Sequence, residues 1–389
     1  MCIGFWALDD PLYSLILCAN RDEFLDRPTL PAAFHDFLAV SATTPDSDAA
    51  GVIDAGGKRK EGSILSGIDI KAGGTWLGIN KRGRVAMITN VYEPVVTRTV
   101  SRGLLTSSFL KQQSDWNTLT QYIGYAQSLG PGDGPLDVGG FNLVVFEPYT
   151  SPTSQPAVPG GQLSEEVILS YEAALVTNSG GGRRITSRPI GRLIPGPTME
   201  EGPVGNGGEE DSESRCGGIS NAIDGSAVDA MGSSEPWTKL SQGRKLFSEI
   251  LAKHHHDHDH TMGMPVTSTA SPSEMNDEEN ERLAEDLFAL LGTTSIPQPH
   301  TQHDRRNSIF IPPSPTPASA FYGTRLSTVI LVRRHSRDVL FIERDRSGTI
   351  PHDYNDNGGG SGSPVSMPVI YNPQTAKLTQ RTFRFQVEA

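Results

Sequence analysis

The sequence predicts an α+β fold with mainly antiparallel sheets, held in one domain from residue 1 to 389. Two observations predict it. Strand-like and helix-like segments come in separate blocks (strands, helices, strands, helices, strands) and not in βαβ alternation. The composition also points to a core diluted by low-complexity sequence. Gly 41 and Pro 28 are in excess, hydrophobic residues make up only 36% and mean hydropathy is -0.33. An ordinary globular domain is nearer 45–50% apolar.

The elements follow in order. Cys2–Leu8 is a first strand. Residues 11–19 combine alternation with an apolar run and read as a buried second strand. Two more strands lie within 74–90, around a turn centred on Arg82-Gly83. Residues 101–112 and 115–128 are helical, with Leu104, Leu105, Phe109 and Leu110 at helical spacing. Residues 139–146 and 166–177 are strands. A helix runs from Pro236, suited to a first turn, to Lys253, with Trp237, Leu240, Phe247, Ile250 and Leu251 on one face. A second amphipathic helix, 278–291, ends at Gly292. Strands at Thr324–Arg333, Val339–Arg344 and Arg381–Val387 close the chain. Gly, Pro, Ser and charged residues mark insertions at 46–62, 149–164, 179–217, 254–275, 293–318 and 345–364.

Charge excludes several function classes. With 33 basic against 45 acidic residues the net charge is -12, so nucleic acid is excluded as a partner and a polybasic membrane anchor is disfavoured. No apolar run approaches the ~20 residues needed to cross a bilayer, so no transmembrane segment is expected. The start lacks a basic region and meets acid at Asp9, a poor signal peptide. Three cysteines, Cys2, Cys18 and Cys216, fit a reducing compartment. Phosphate-loop motifs are absent. The tract 254–260 holds five His and two Asp. It lacks the spaced ligands of a structural zinc site, and no metal is expected there.

Cys2 is the most informative position. Removal of the initiator Met would put a thiol and a free α-amine on one residue. Such an amine titrates near ~7.7–8 and can take the thiol proton. Asn20-Arg21-Asp22-Glu23 leaves an apolar strand, and charges in that setting favour a functional site over a solvated strand end. Trp76 reads as a pocket wall or packing residue, and Gly73 and Gly74 as a turn or a close approach of backbone.

These residues carry a resemblance. Asn20-Arg21-Asp22-Glu23-Phe24 with Arg27-Pro28, the Met-Cys-Ile start and Gly73-Gly74-Thr75-Trp76-Leu77-Gly78-Ile79 all resemble the NRDE family, that of transport and Golgi organisation proteins. The likeness continues through Thr89-Asn90, Gly140-Phe141-Asn142-Leu143, Gly218-Ile219-Ser220-Asn221-Ala222, Pro236-Trp237-x-Lys239, Tyr322-Gly323-Thr324-Arg325 and Phe341-x-Glu343-Arg344.

The resemblance implies a four-layer αββα sandwich like that of N-terminal-nucleophile (Ntn) hydrolases. It implies a site made of Cys2, Asn20, Arg21, Asp22, Glu23, Asn90, Asn221 and Arg325, with Gly74, Thr75, Trp76 and Thr324 lining its pocket. The linear-amide hydrolases with this fold carry Arg-x-x-Asp on the second strand. Counted from Arg21, that Asp position falls on Phe24, and the acids here are Asp22 and Glu23. In a regular strand Arg21 shares a face with Glu23 and not with Asp22.

Two functions follow from the resemblance. One is Golgi organisation, protein secretion and haem or lipid homeostasis through a pocket around Cys2. The other is an active cysteine amidohydrolase on a linear N-acyl amide. The small-molecule partner is accordingly haem, acyl-CoA or an N-acyl amide. No cofactor is required, and haem is at most a transient cargo, since CxxCH is absent. The implied location is the cytoplasm, with association to Golgi or mitochondria.

Overall fold

The computed structural model describes residues 2–37, 62–111, 117–130, 134–152, 167–190, 216–224, 226, 229–262, 272–295, 302–316, 321–347 and 380–388. The first block is β1 (Ile3–Leu8), β2 (Tyr13–Phe24), β3 (Thr29–His35), β4 (Ile64–Asp69), β5 (Leu77–Asn80) and β6 (Val85–Asn90). Helices α1 (Gly103–Lys111) and α2 (Leu119–Ser128) follow, then β7 (Phe141–Pro152), β8 (Val167–Thr177), β9 (Thr186–Pro189) and β10 (Cys216–Ile219). The rest is α3 (Thr238–Met262), α4 (Pro272–Leu291), α5 (Gln302–Arg306), β11 (Ser314–Pro315), β12 (Phe321–Arg333), β13 (Asp338–Asp345) and β14 (Gln380–Gln386).

Two seven-stranded antiparallel sheets result. One runs β10-β1-β2-β12-β13-β14, with β11 on β12; the other runs β3-β4-β5-β6-β7-β8-β9. Period-2 alternation sends each buried strand's side chains to two different cores. From β1 and β2, Trp6, Leu8, Leu15 and Leu17 meet Leu77, Met87 and Phe146 of the other sheet. The alternate residues Phe5, Ala7, Ile16 and Cys18 face Phe247, Leu283 and Leu287 of α3 and α4. On the far side Ile88, Leu143 and Val145 face Phe109 and Tyr122 of α1 and α2. The layers are therefore αββα, as expected. Because both faces of β1 and β2 are covered, their sequences read as nearly unbroken apolar runs.

A buried ion also ties the sheets. Glu343 on β13 accepts a 2.9 Å hydrogen bond from the Ala32 N–H on β3. Burial pushes its carboxyl up, and that N–H and Arg381 pull it back.

Several ranges read as insertions hold regular structure instead. Tyr149–Pro152 lies in β7, which beyond Phe146 pairs only with β8. Among the described residues no strand pairs with the other edge of this ribbon, so Pro148 and Pro152 break no ladder there. Residues 179–217 include β9 and the start of β10. Strand β9 is exposed along its length and has no apolar signal. In β10, a Cβ at Gly217 would stand 2.2 Å from the Trp6 ring, so a glycine-rich stretch forms a strand by lying under aromatics. The His tract does not break away as a loop but prolongs α3. His255 hydrogen-bonds Asp10 at 2.5 Å and His258 bonds Glu279 at 2.7 Å. Helix α4 starts at Pro272, six residues before the expected 278. Within 293–318, α5, β11 and buried Ile309, Phe310 and Ile311 are ordered parts of the fold. Residues 46–61, 153–164, 191–215, 263–271, 296–301, 317–318 and 348–364 of those ranges lie outside the described residues.

Helix α3 lies on β1 through one small residue. A Cβ on Gly243 would meet the Phe5 ring at 2.1 Å, and Phe5 is itself stacked on Phe247 at 6.1 Å. Gly243→Ala gains about 1 kcal/mol of helix propensity. Overpacking against a ring that cannot retreat costs about 1–3 kcal/mol. The steric effect wins, so urea unfolding of Gly243→Ala will show a lower midpoint than the wild type at unchanged slope.

Candidate functional site around Cys2

The ladder register places Cys2. Strand β1 pairs with β2 at Ile3↔Asn20 and with β10 at Gly4↔Ile219. Carried back to Cys2, the same ladders set it between Arg21 on one side and Asn221 on the other, with Ser220 across from Ile3. Ser220 Oγ donates to the Cys2 carbonyl at 2.9 Å. Ser220 and Asn221 then reach across to the second sheet. Thr89 Oγ1 donates to the Ser220 carbonyl at 2.6 Å, and Asn221 Nδ2 donates to the Asn90 carbonyl at 2.6 Å. Asn142 Nδ2 donates to the carbonyls of Ser220 and Ala222, and the Tyr92 N–H donates to the Asn221 carbonyl. Cys2, Asn90 and Asn221 thus converge. Asn90 takes part through its backbone, and its side chain stands exposed at the strand end.

On the inter-sheet side, Arg21 lies 4.0 Å over the Trp76 ring. Buried Arg21 Nη1 has no hydrogen-bond partner among the described residues. Cys2, Arg21, Trp76, Leu77, Met87 and Ile88 line a cavity of about 10 Å³, room for roughly one water. Of the expected pocket residues only Trp76 lines it. Gly74 and Thr75 pack on the start of α1 instead. The Thr75 N–H bonds the Gly103 carbonyl, and a Cβ on Gly74 (φ 73°) would stand 2.4 Å from that carbonyl oxygen.

On the helical side stands Asp22. Thr324 Oγ1 donates to Asp22 Oδ1 at 2.7 Å and accepts from the Ile311 N–H at 2.8 Å. Strand alternation separates Asp22 from Arg21, as expected, and leaves Arg21 beside Glu23 at 3.8 Å. The Asp22 backbone N–H nevertheless hydrogen-bonds the Cys2 sulfur, so Asp22 reaches the site. Pairing between β2 and β12 shifts register between Thr324 and Leu326. This bulge re-aims Arg325 toward the carbonyl of Arg27, which its guanidinium bonds. Asn20 is used elsewhere. Its Nδ2 donates to the carbonyls of Leu291 and Ile309 and its Oδ1 accepts from Ser327. Those bonds fix β2 to the helical layer.

Burial pushes the Cys2 thiol up. The Asp22 carboxylate adds to the rise and Arg21 opposes it. Burial likewise pushes the Asp22 carboxyl up, while Lys239 and the Thr324 hydroxyl pull it down. Among the described residues no cluster of three or more His, Cys, Asp and Glu could hold a metal ion. Chemically, the site offers a sulfur nucleophile, flanking cations, amide groups and the room of one water.

A family model described as "Transport and Golgi organisation 2" matches residues 1–43 and 54–348. The chain belongs to this family. It is 28% identical over 369 residues to the transport and Golgi organization protein 2 homolog of Bos taurus, covering 90% of this chain and 95% of that one. It is 27% identical over 359 residues to the Homo sapiens homolog, covering 88% and 92%. Among solved structures, a C2A mutant of a conjugated bile acid hydrolase from Clostridium perfringens aligns with TM-score 0.32 and 8% identity, over 88% of each chain.

Within the family motifs, sequence reasoning missed Ser220 and Lys239 as site residues. Ser220 had a readable signal: a hydroxyl beside Asn221 directly after a strand. Lys239 had another, as the one cation on the stripe Lys239, Gly243, Phe247 that α3 turns to the core.

Thr324→Val tests the Asp22 contact. It removes a hydrogen bond to a buried carboxylate, worth about 1.5–3 kcal/mol, and destabilises the protein at pH 7. Asp22 already has a raised folded-state value, and losing the hydroxyl raises it further. Below both values the carboxyl is neutral with or without the hydroxyl. The deficit in urea unfolding free energy therefore narrows as pH falls from 7 towards 4.

Proposed function

We propose that this transport and Golgi organisation 2 family member works as an N-terminal-nucleophile amidase, with Cys2 attacking the carbonyl carbon of a linear N-acyl amide. We further propose that this chemistry serves the transport and Golgi organisation for which its relatives are named. The observation that supports it is the convergence on Cys2 of β2 (Arg21, the Asp22 N–H) and of Ser220, which bonds its carbonyl, beside room for one water.

In this reading Met1 is removed and the Cys2 α-amine takes the thiol proton. The sulfur adds to the carbonyl, the C–N bond breaks, and the amine leaves with that proton. Water then cleaves the thioester, releasing the acid and restoring the thiol. Arg21 and the exposed Asn90 amide supply charge and donors at the developing oxyanion. The cavity of about 10 Å³ beside Cys2 has room for the one water that cleaves the thioester. We place the protein in the cytoplasm in association with the Golgi. No described helix is long and apolar enough to cross a membrane.

The test is turnover of a panel of N-acyl amides by the full chain, with the mass of its N-terminal peptide. The active protein is expected to begin at Cys2. Cys2→Ala is expected to lose at least about 1,000-fold in kcat, the scale seen when a nucleophile is removed, with its melting temperature preserved. Retained Met1 on the active species, or turnover by Cys2→Ala, would overturn the reading.

A further inference from the structure

Lys239 is fully buried, with 0% of its surface exposed. Its Nζ has no hydrogen-bond partner among the described residues. Lysines are rarely buried without a partner, and their long stems normally carry the ammonium out to water. Leaving this ammonium inside without an acceptor costs several kcal/mol. Its Nζ stands 5.5 Å from the centroid of the Trp237 ring, which returns only about 0.5–2 kcal/mol. Packing alone gives no reason to keep a lysine here.

Its position does give a reason. Residues i, i+4 and i+8 share a helix face, so Lys239, Gly243 and Phe247 form one stripe on α3. Gly243 and Phe247 both rest on Phe5 of β1. A Cβ on Gly218 of β10, the residue paired with Phe5, would touch Leu240 and Arg244 of the same helix. The stripe therefore runs along β1, and Lys239 lies one helical turn toward its beginning, where Cys2 is. Among the described residues, Asp22 and Cys2 act on it through their charge. Burial pushes the Lys239 amine down, and these two groups push it back up.

We propose that Lys239 is a positioning residue for the Cys2 nucleophile: from the first turn of α3 it supplies a positive charge to the Cys2 sulfur and the Asp22 carboxylate from the helical side. The assignment rests on Cys2 acting as a nucleophile, the reading given above. Thiolate beside ionised Asp22 is a like-charge pair, which disfavours the thiolate. A cation facing both offsets that repulsion.

The other groups around the site are the terminal α-amine, which acts on both Cys2 and Asp22, Arg21 from β2, Arg102 ahead of α1, Tyr92 after β6, Arg305 from α5 and Tyr322 and Thr324 from β12. Arg102 acts on Cys2. Arg305 acts on Asp22, and the Tyr322 hydroxyl bonds the Asp22 carbonyl. All of them remain in the variants below, so the change isolates Lys239.

The experiment is the rate of Cys2 alkylation by iodoacetamide between pH 5.5 and 9.5 on the full-length protein, read by peptide mass mapping. Cys18, wholly buried, reports unfolding in the same digest. Lys239→Met, with similar bulk and no charge, is expected to move the midpoint of the rate–pH profile upward by about one to three units. Lys239→Arg should stay near wild type. Lys239→Gln, also uncharged, should follow Lys239→Met and serves if the Met variant exposes Cys18. Asp22→Asn, which removes the opposing carboxylate, should move the midpoint downward.

Coincident midpoints for wild type and a folded uncharged variant overturn the proposal. So does an unmoved midpoint in Asp22→Asn, or a Cys2 that stays unmodified across the range. The readout needs no substrate, so the two readings fail separately. Lys239-dependent reactivity without turnover of any amide leaves Lys239 assigned and removes the amidase. Turnover with coincident midpoints does the reverse.

Discussion

The site depends on the bonds by which Ser220 and Asn221 join the two sheets. Cys2 belongs to the edge region of one sheet, and Asn90, Asn142 and Trp76 belong to the other. Nothing in the apolar layer between the sheets fixes their relative position to the tenths of an ångström that chemistry needs, because packing of Leu, Ile and Met is non-directional. The bonds from Thr89, Asn142 and Tyr92 to Ser220–Ala222, and from Asn221 to Asn90, are directional and mostly buried. At about 0.5–1.5 kcal/mol each they together contribute a few kcal/mol, a large share of a typical net stability of about 5–15 kcal/mol. Ser220 passes that order directly to Cys2 through its backbone carbonyl.

Around this fixed point the protein keeps charges where water is scarce. Arg21, Asp22, Lys239 and Glu343 are all buried. Arg21 is placed by stacking on Trp76, Asp22 by the Thr324 hydroxyl and Glu343 by the Ala32 N–H. Each buried charge lowers stability relative to an apolar residue of the same shape unless its partners are well aligned. The contrast between Asp22, held by a short hydrogen bond, and Lys239, with no acceptor for its Nζ, separates a charge the fold accommodates from one the site retains.

The strands with both faces buried were legible in the sequence, because double burial makes them apolar throughout. The extent of β1, β12, β13 and the Arg82-Gly83 hairpin could be read this way. Strands β9 and β10 could not. Exposed β9 needs no apolar residue, and β10 needs glycine where Trp6 and Phe5 press on it. The His tract looked like a loop because composition cannot reveal that Asp10 and Glu279, far away in sequence, accept its imidazoles. Among site residues, Cys2, Arg21, Asp22 and Asn221 were legible as motif positions. The division of labour among them was not, since it depends on register. Asn20 and Thr75 carry motif positions and are used in tying elements together, and Asn90 contributes its carbonyl to that task while its amide stays exposed.

Strand geometry decides where the two charges of this motif go. Arg21 stands on the inter-sheet side, over Trp76, and Asp22 on the helical side, on Thr324. On a strand, residues one or three apart both point to opposite faces, because only odd separations reverse the face. An acid at the first position after Arg21 takes the same face as one at the third and stands two residues, about 6.6 Å, nearer along the strand. That places it next to the ladder position of Cys2, where its own N–H reaches the sulfur. Phe24, at the spacing where the hydrolases carry Asp, is exposed and packs edge-on against Tyr322. The family signature Asn20-Arg21-Asp22-Glu23 therefore sets a cation and an acid on opposite faces of β2. Glu23, sharing the face of Arg21, is the residue that strand parity keeps away from the helical side.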